Sequence, residues 1–395
     1  MIRTGLDSLL LDSAALKGRR YGLLSNTAAR SASLAPIHLA LRAQGAEMPE
    51  RLLGPEHGFY GIEQDMIPSA DERDPWTGLP IVSLYGERPE SIVPRPEVFD
   101  DLDLLVVDLQ DVGCRYYTYA ASAIWAASVA LSQSCEVWIL DRPNPLGGAT
   151  VEGNLPANEL KSFVGAFSLP VRHGLTLGEM ARLEGKRSGW PEGLKIWEVD
   201  GWSREMVWQD LTLPWVAPSP NLPTIEGAFL YPGLCLVEAT ELSEGRGTTS
   251  PFRLVGAPRV DPQALVDELR SRVLPGVGFV PTYFRPQFQK HAGEVCGGVE
   301  IRVTDIHTLR PYRCGVELIA AISRIAPEQF SWRRQPYEFV SEHPAIDLLT
   351  GDTELRKAIE NGEEPTEWIE SWPSDVRQFR KDCEDILIYP GAFGC

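Results

Sequence analysis

What the 395-residue chain lacks excludes several classes of protein at once. No stretch approaches the roughly 18 to 20 uninterrupted apolar residues of a membrane-spanning helix, so no bilayer span is expected. Basic residues are outnumbered: 37 Lys and Arg against 55 Asp and Glu leave a net charge of −18. With no basic cluster along the sequence, such a surface repels a phosphate backbone, and nucleic acid is disfavoured as a partner. Paired cysteines are missing. The seven present, at 114, 135, 235, 296, 314, 383 and 395, are scattered, odd in number and contain no C-x-x-C. That fits neither a disulfide framework nor a zinc ribbon and points to reduced, mostly buried thiols. Met1 to Arg20 also lacks the basic-apolar-small pattern of a secretory signal. The compartment expected is therefore the cytoplasm, with periplasmic or secreted placement the alternative if a longer precursor was trimmed.

What is there reads as a folded α/β protein, with 43% hydrophobic and 23% charged residues. Short β-rich runs alternate with helical ones: strands at Arg20 to Ser25, Glu50 to Leu53, Leu79 to Leu84, Leu102 to Leu109, Glu136 to Leu140 and Leu194 to Val199, and helices at Ser33 to Gln44, Tyr117 to Gln133 and Thr176 to Arg187. Thr176 and Glu179 have the spacing of a capping box. The rhythm predicts a Rossmann-like three-layer domain around a mostly parallel sheet. Ala217 to Pro223, with three prolines, cannot be regular structure. The domain boundary is set just after it, giving 1–225 as the catalytic domain and 226–395 as a smaller α+β domain. The latter's expected elements are a strand at Gly298 to Thr304 and helices at Pro262 to Arg272, Gly315 to Ile325 and Thr353 to Asn361.

In parallel α/β sheets, ligands bind beyond the strand C-termini. The turns there are Ser25-Asn26-Thr27, Gly54-Pro55-Glu56-His57-Gly58, Gln110-Asp111-Val112-Gly113 with Arg115 and Tyr116, and Asp141-Arg142-Pro143-Asn144. Turn chemistry accounts for their Gly, Pro, Asn and Asp residues, and less well for Glu56, His57, Arg115 and Arg142. A carboxyl in a Pro-Glu-His-Gly turn beside Phe59 and Tyr60 is a candidate general acid with a raised pKa. His57 is its candidate orienting or substrate-binding neighbour. Asp108, Asp111, Asp141, Glu152, Glu238, Glu241 and Glu244 compete as its partner, and Asp111 joins Glu56 and His57 in the catalytic set. No P-loop, no G-x-G-x-x-G after the first strand and no G-x-S-x-G occurs, which argues against nucleotide binding and a serine nucleophile. No metal-ligand spacing is found, and neither metal nor cofactor is expected. Most of the eleven tryptophans are read as packing. Arg246, flanked by glycines, could clamp a carboxylate.

The blocks LLGPEHGFYG, LQDVGCRYYTY, LDRPNPLGG with VEG, RHGLTLGE, PSPNLPT and YPGLCLVEATELSEGRGTTSPF resemble, in order and spacing, the NamZ exo-β-N-acetylmuramidases, formerly a domain of unknown function, DUF1343. The resemblance covers most of the chain and thins over the last hundred or so residues. It implies a metal-independent glycosidase that releases N-acetylmuramic acid from the non-reducing end of peptidoglycan fragments, with its site between a Rossmann-like and a smaller C-terminal domain. It maps the family's Pro-Glu-His-Gly glutamate onto Glu56. The lactyl carboxylate of such a substrate gives a reason for cationic groups, with Arg115, Arg142, Arg172, His173 and Arg246 as candidates. Asn26, Tyr116, Asn144, Glu152, Asn221 and Glu241 complete the substrate-binding set. A neighbouring-group mechanism through the acetamido carbonyl would need no protein nucleophile. The alternative reading is a non-catalytic muropeptide-binding protein of the same fold. Oligomeric state, stereochemistry and the identity of the lactyl-binding arginine stay open.

Overall fold

The computed structural model describes residues 2–64, 66–86 and 88–394, and its N-terminal half is wound around a seven-stranded sheet. In chain order the elements are α1 (Gly5–Leu11), β1 (Tyr21–Ser25), α2 (Ile37–Ala43), β2 (Arg51–Gly54), β3 (Glu72–Arg73), β4 (Pro80–Ser83), β5 (Leu104–Asp108), α3 (Tyr119–Ser132), β6 (Glu136–Leu140), α4 (Leu177–Ser188) and β7 (Leu194–Trp197). The strand order is β3-β4-β2-β1-β5-β6-β7, parallel throughout except for β3 against β4. With the two-residue β3 set aside, this is the doubly wound order in which the winding reverses between β1 and β5, opening a crevice at their C-terminal ends. The Rossmann-like expectation for this half therefore holds.

Burial explains the sequence pattern. Every residue of β1 and β5 is buried, because helices cover both faces of the sheet and leave no polar side to alternate with. Leu104 and Val106 point to one face, with Leu6, Leu9, Ile37 and Leu41 of α1 and α2. Leu105 and Val107 point to the other, with Ala126, Ala127 and Ala130 of α3 and Leu177 and Met180 of α4. The capping box of α4 forms as read: Thr176 accepts from the Glu179 amide, and Glu179 accepts from the Thr176 amide at 3.1 Å.

The second half is α+β, again as expected. It contains α5 (Ile225–Leu234), β8 (Leu254–Ala257), α6 (Pro262–Ser271), β9 (Val277–Phe284), β10 (Cys296–Val303), α7 (Pro311–Ile325), α8 (Ala345–Thr350), α9 (Glu354–Glu360) and α10 (Thr366–Cys383). The antiparallel sheet has the order β8-β10-β9. Helices α5 and α7 cross with backbones touching, since a Cβ on Gly315 would lie 2.1 Å from the Gly233 carbonyl oxygen. The chain then returns to the first sheet, where Tyr389 donates to Asp141 at 2.6 Å. Cys114, Cys135, Cys235, Cys296, Cys314 and Cys383 are buried and free. Cys395 lies outside the described residues. Among the described residues no helix is long and apolar enough to cross a membrane.

Candidate active site

The turn after β2 shapes the centre of the site. Gly54 has no Cβ because one would sit 2.7 Å from the Phe59 amide nitrogen, so glycine lets the chain fold back on the strand end. His57 and Gly58 follow in the left-handed region, with φ of 67° and 75°. A histidine pays for that conformation sterically, and the turn is held in it by a bond from its own side chain. His57 Nδ1 lies 2.9 Å from the Glu63 carbonyl oxygen. A carbonyl only accepts, so Nδ1 carries the proton and Nε2 is left as the ring's other site. Glu56 is buried beside it, and the Thr118 hydroxyl, just before α3, donates to its Oε2 at 2.5 Å.

Around this carboxyl lies a narrow cleft. Tyr116, Tyr117 and Thr118 from the approach to α3 form one wall, and Ser219, Asn221 and Leu222 from the proline-rich segment form another. That segment is pinned by Asn26 and Tyr119, which both donate to the Pro218 carbonyl oxygen, at 3.1 and 2.6 Å. Asn221 donates to Gln64 at 3.1 Å. The second half supplies the facing wall: Tyr231, Glu238, Arg246, Phe252, Tyr337 and Glu338. Arg246 pairs with Glu238 at 2.8 Å and approaches Glu244 at 3.5 Å, with its guanidinium 5.2 Å from the Phe252 ring centre. Tyr337 donates to the other oxygen of Glu238 at 2.8 Å, and Tyr85 donates to Glu338 at 3.0 Å. Burial pushes the Glu244 carboxyl up, but Lys290, 2.9 Å away, and Arg246 outweigh it and hold the group below the usual carboxylate range. The Tyr117 hydroxyl feels both Glu56 and Asp111, and burial above all raises its pKa far beyond the ordinary range.

Of the residues singled out from the sequence, the fold brings Glu56, His57, Tyr116, Asn221, Glu238 and Arg246 to this cleft. The others do not line it, because other contacts occupy them. Arg115 is buried and donates to the carbonyls of Asn154, Leu169, Leu349 and Thr350 at 2.7 to 2.9 Å, tying the two halves together. Arg142 grips Asp108 in a bidentate pair at 2.6 and 3.0 Å. Arg172 donates to the carbonyls of Leu146 and Leu309. Asn144 bonds Leu175 and Leu146, and Glu152 accepts from the amides of Tyr312 and Arg313 at the start of α7. Glu241 uses its backbone, whose carbonyl lies 2.8 Å from His291 Nε2. His173 takes the Leu175 amide on Nδ1 and sets Nε2 3.5 Å from Asp111. Asp111 itself accepts from the Gly113 amide at 2.6 Å. Of the candidate arginines only Arg246 lines the cleft among the described residues, whereas Arg115, Arg142 and Arg172 are taken up by carbonyls and carboxylates elsewhere.

Sequence reasoning placed Thr118 only within the Tyr116 to Tyr119 cluster and gave no role to Ser219, Tyr231, Phe252, Tyr337 or Glu338. Tyr231 and Phe252 lie in a block that was recognised. Tyr337 and Glu338 lie in a stretch without any motif, and no local signal marks them. None of the tryptophans lines the cleft.

A buried, hydroxyl-tethered carboxyl facing an arginine-bound carboxylate is compatible with glycosidase chemistry. The family model for the exo-β-N-acetylmuramidase NamZ N-terminal region matches residues 21–226, and that for the NamZ C-terminal region matches residues 229–389. The chain belongs to the NamZ exo-β-N-acetylmuramidase family and is a glycosidase. It is 39% identical over 389 residues, covering 98% of this chain and 91% of the relative, to the peptidoglycan β-N-acetylmuramidase NamZ of Bacillus subtilis. Two crystal structures of DUF1343 family proteins from Bacteroides fragilis share the fold. One has a TM-score of 0.87 at 30% identity and the other 0.74 at 27%, each alignment covering 98% of this chain and 99% of the other.

Proposed function

We propose that the enzyme removes N-acetylmuramic acid from the non-reducing end of β-1,4-linked peptidoglycan fragments, with Glu56 as the general acid and Arg246 as the group that recognises the lactyl carboxylate. The observation that carries this reading is the tethering of Glu56: Thr118 occupies Oε2 at 2.5 Å, and Oε1 has no hydrogen-bond partner among the described residues. A proton on Oε1 would be available to the glycosidic oxygen. As the C1–O bond breaks, the leaving sugar takes that proton and positive charge develops on C1 and the ring oxygen of the muramyl unit. Glu238 and Glu338 on the facing wall supply negative field for that charge. Water, or the substrate's own acetamido carbonyl followed by water, completes the hydrolysis.

The test is hydrolysis of a chromogenic β-N-acetylmuraminide beside the matching glucosaminide, by wild type and Glu56→Gln. Release from the muraminide alone, lost in the variant, is expected. Undiminished release by Glu56→Gln would remove Glu56 from the mechanism.

A further inference from the structure

Outside the cleft, the fold assembles a cationic groove that no stretch of the sequence announces. It lies between the start of α7 and the side of α10, is open to solvent, and is lined by Arg310, Arg313, Arg377 and Arg380. Arg377 and Arg380, three residues apart on α10, share one face of the helix. Ile369, Trp372, Pro373 and Val376 give the groove an apolar side.

The arginines are poorly neutralised. Arg377 and Arg380 make no hydrogen bond or ion pair among the described residues. Arg313 lies 3.8 Å from Glu317, whose other oxygen is held by Arg272 at 2.5 Å. Arg310 donates to the backbone carbonyls of His307, Thr308 and Leu309 at 3.1 to 3.4 Å and keeps its charge. Of the two acids lining the groove, Glu152 already accepts two backbone amides, at 2.8 and 3.2 Å, and Glu370 is exposed. In a chain of net charge −18, a lining of four arginines and two acids is locally cationic. A guanidinium fork beside an apolar wall suits an oxyanion carried on a sugar or short peptide.

We propose that this groove is a second binding site, for the carboxylate-bearing part of a peptidoglycan strand, and that it holds the polymer while its end is trimmed in the cleft. The proposal rests on the functional reading above. Its occupant is the carboxylate-rich glycan and not a phosphodiester polymer, because such a strand presents carboxylates on its muramyl units, from the lactyl group where it is free and from the stem peptide where it is amidated.

The experiment compares retention on insoluble peptidoglycan stripped of phosphate-bearing polymers, at low and high salt, for the full chain carrying Glu56→Gln and for the same chain carrying Arg377→Glu and Arg380→Glu in addition. The charge reversal is expected to weaken retention about tenfold at low salt and to flatten its salt dependence. Arg377→Lys with Arg380→Lys should recover most of the retention. Equal retention by the reversed and unreversed chains, or retention that appears only when phosphodiester polymer is present, overturns the proposal. Hydrolysis of the small chromogenic muraminide by otherwise wild-type protein bearing the same reversal tests the cleft separately. If that hydrolysis is absent even in wild type, it is the functional reading that fails; if the reversal alone abolishes it, the groove is not a separate site and the proposal falls.

Discussion

At the scale of single residues, the site depends on who holds whom. Glu56 is held by Thr118, and Glu238 by Arg246 and Tyr337. If Glu56 delivers the proton, Glu56→Gln keeps the shape and loses the acid. Its kcat should fall by about 10²- to 10⁴-fold with KM little changed, read from initial rates on the muraminide. Arg246 requires a subtler change, because deleting it strands the carboxylates of Glu238 and Glu244 in a buried position. Arg246→Lys retains the charge and removes the planar fork. An increase of about tenfold in KM for the muraminide, without a matching change in melting temperature, is the expected result. An unchanged KM would send the lactyl carboxylate elsewhere in the cleft.

At the scale of elements, positions are set by close approaches that side chains would prevent. The crossing of α5 and α7 carries Tyr231 to the cleft wall and depends on Gly233 and Gly315 meeting without Cβ atoms. Gly315→Ala inserts a methyl 2.1 Å from the Gly233 carbonyl oxygen. The helices must then separate, at a cost of about 1 to 3 kcal/mol in denaturant unfolding, with a loss of activity as Tyr231 moves. Native-like stability would show that the crossing has room to give.

The secondary structure was largely legible at this scale. The apolar runs of β1, β5 and β6 and the capping box of α4 were read close to their observed bounds, because burial on both faces and a local cap leave a mark in adjacent residues. α1, β3, α5, β8, β9, α8 and α10 were not picked out. β9 is an edge strand whose residues are half-buried or exposed, with no strict alternation, and α1 is only seven residues long.

At the scale of the whole molecule, the carboxyl of Asp141 joins the end of β6 to α4 and to the returning tail. It accepts from Thr176, Gly178 and Tyr389 at 2.6 to 2.9 Å. Burial pushes its pKa up to about 6 in spite of those bonds. A carboxyl with a raised folded-state pKa favours the folded state most when protonated. Its contribution is therefore complete below about pH 4 and is lost as pH rises through about 6. The shift from 3.8 to about 6 corresponds to about 3 kcal/mol. Asp141→Asn mimics the protonated form at every pH. The stability of the variant relative to wild type should therefore rise between about pH 4 and pH 7, as followed by thermal unfolding. A pH-independent difference would show that the buried acceptor bonds already match the charge.

The sequence by itself determined the α/β class, the doubly wound first half, the family and the turn that carries Glu56. Each rests on residues adjacent in the chain, where hydrophobic periodicity, caps and turn chemistry act. Only the tertiary structure decided which arginine lines the cleft. Arg115, Arg142, Arg172 and Arg246 look equally eligible in a list of rim residues. What separates them is the carbonyls and carboxylates packed against each, brought from up to 235 positions away. The same holds for Tyr337 and Glu338 in the cleft and for the arginine groove, where Arg310 and Arg313 meet Arg377 and Arg380 across more than sixty residues of chain. Charge and hydrogen bonding act through space, so their pattern appears only once the chain has folded.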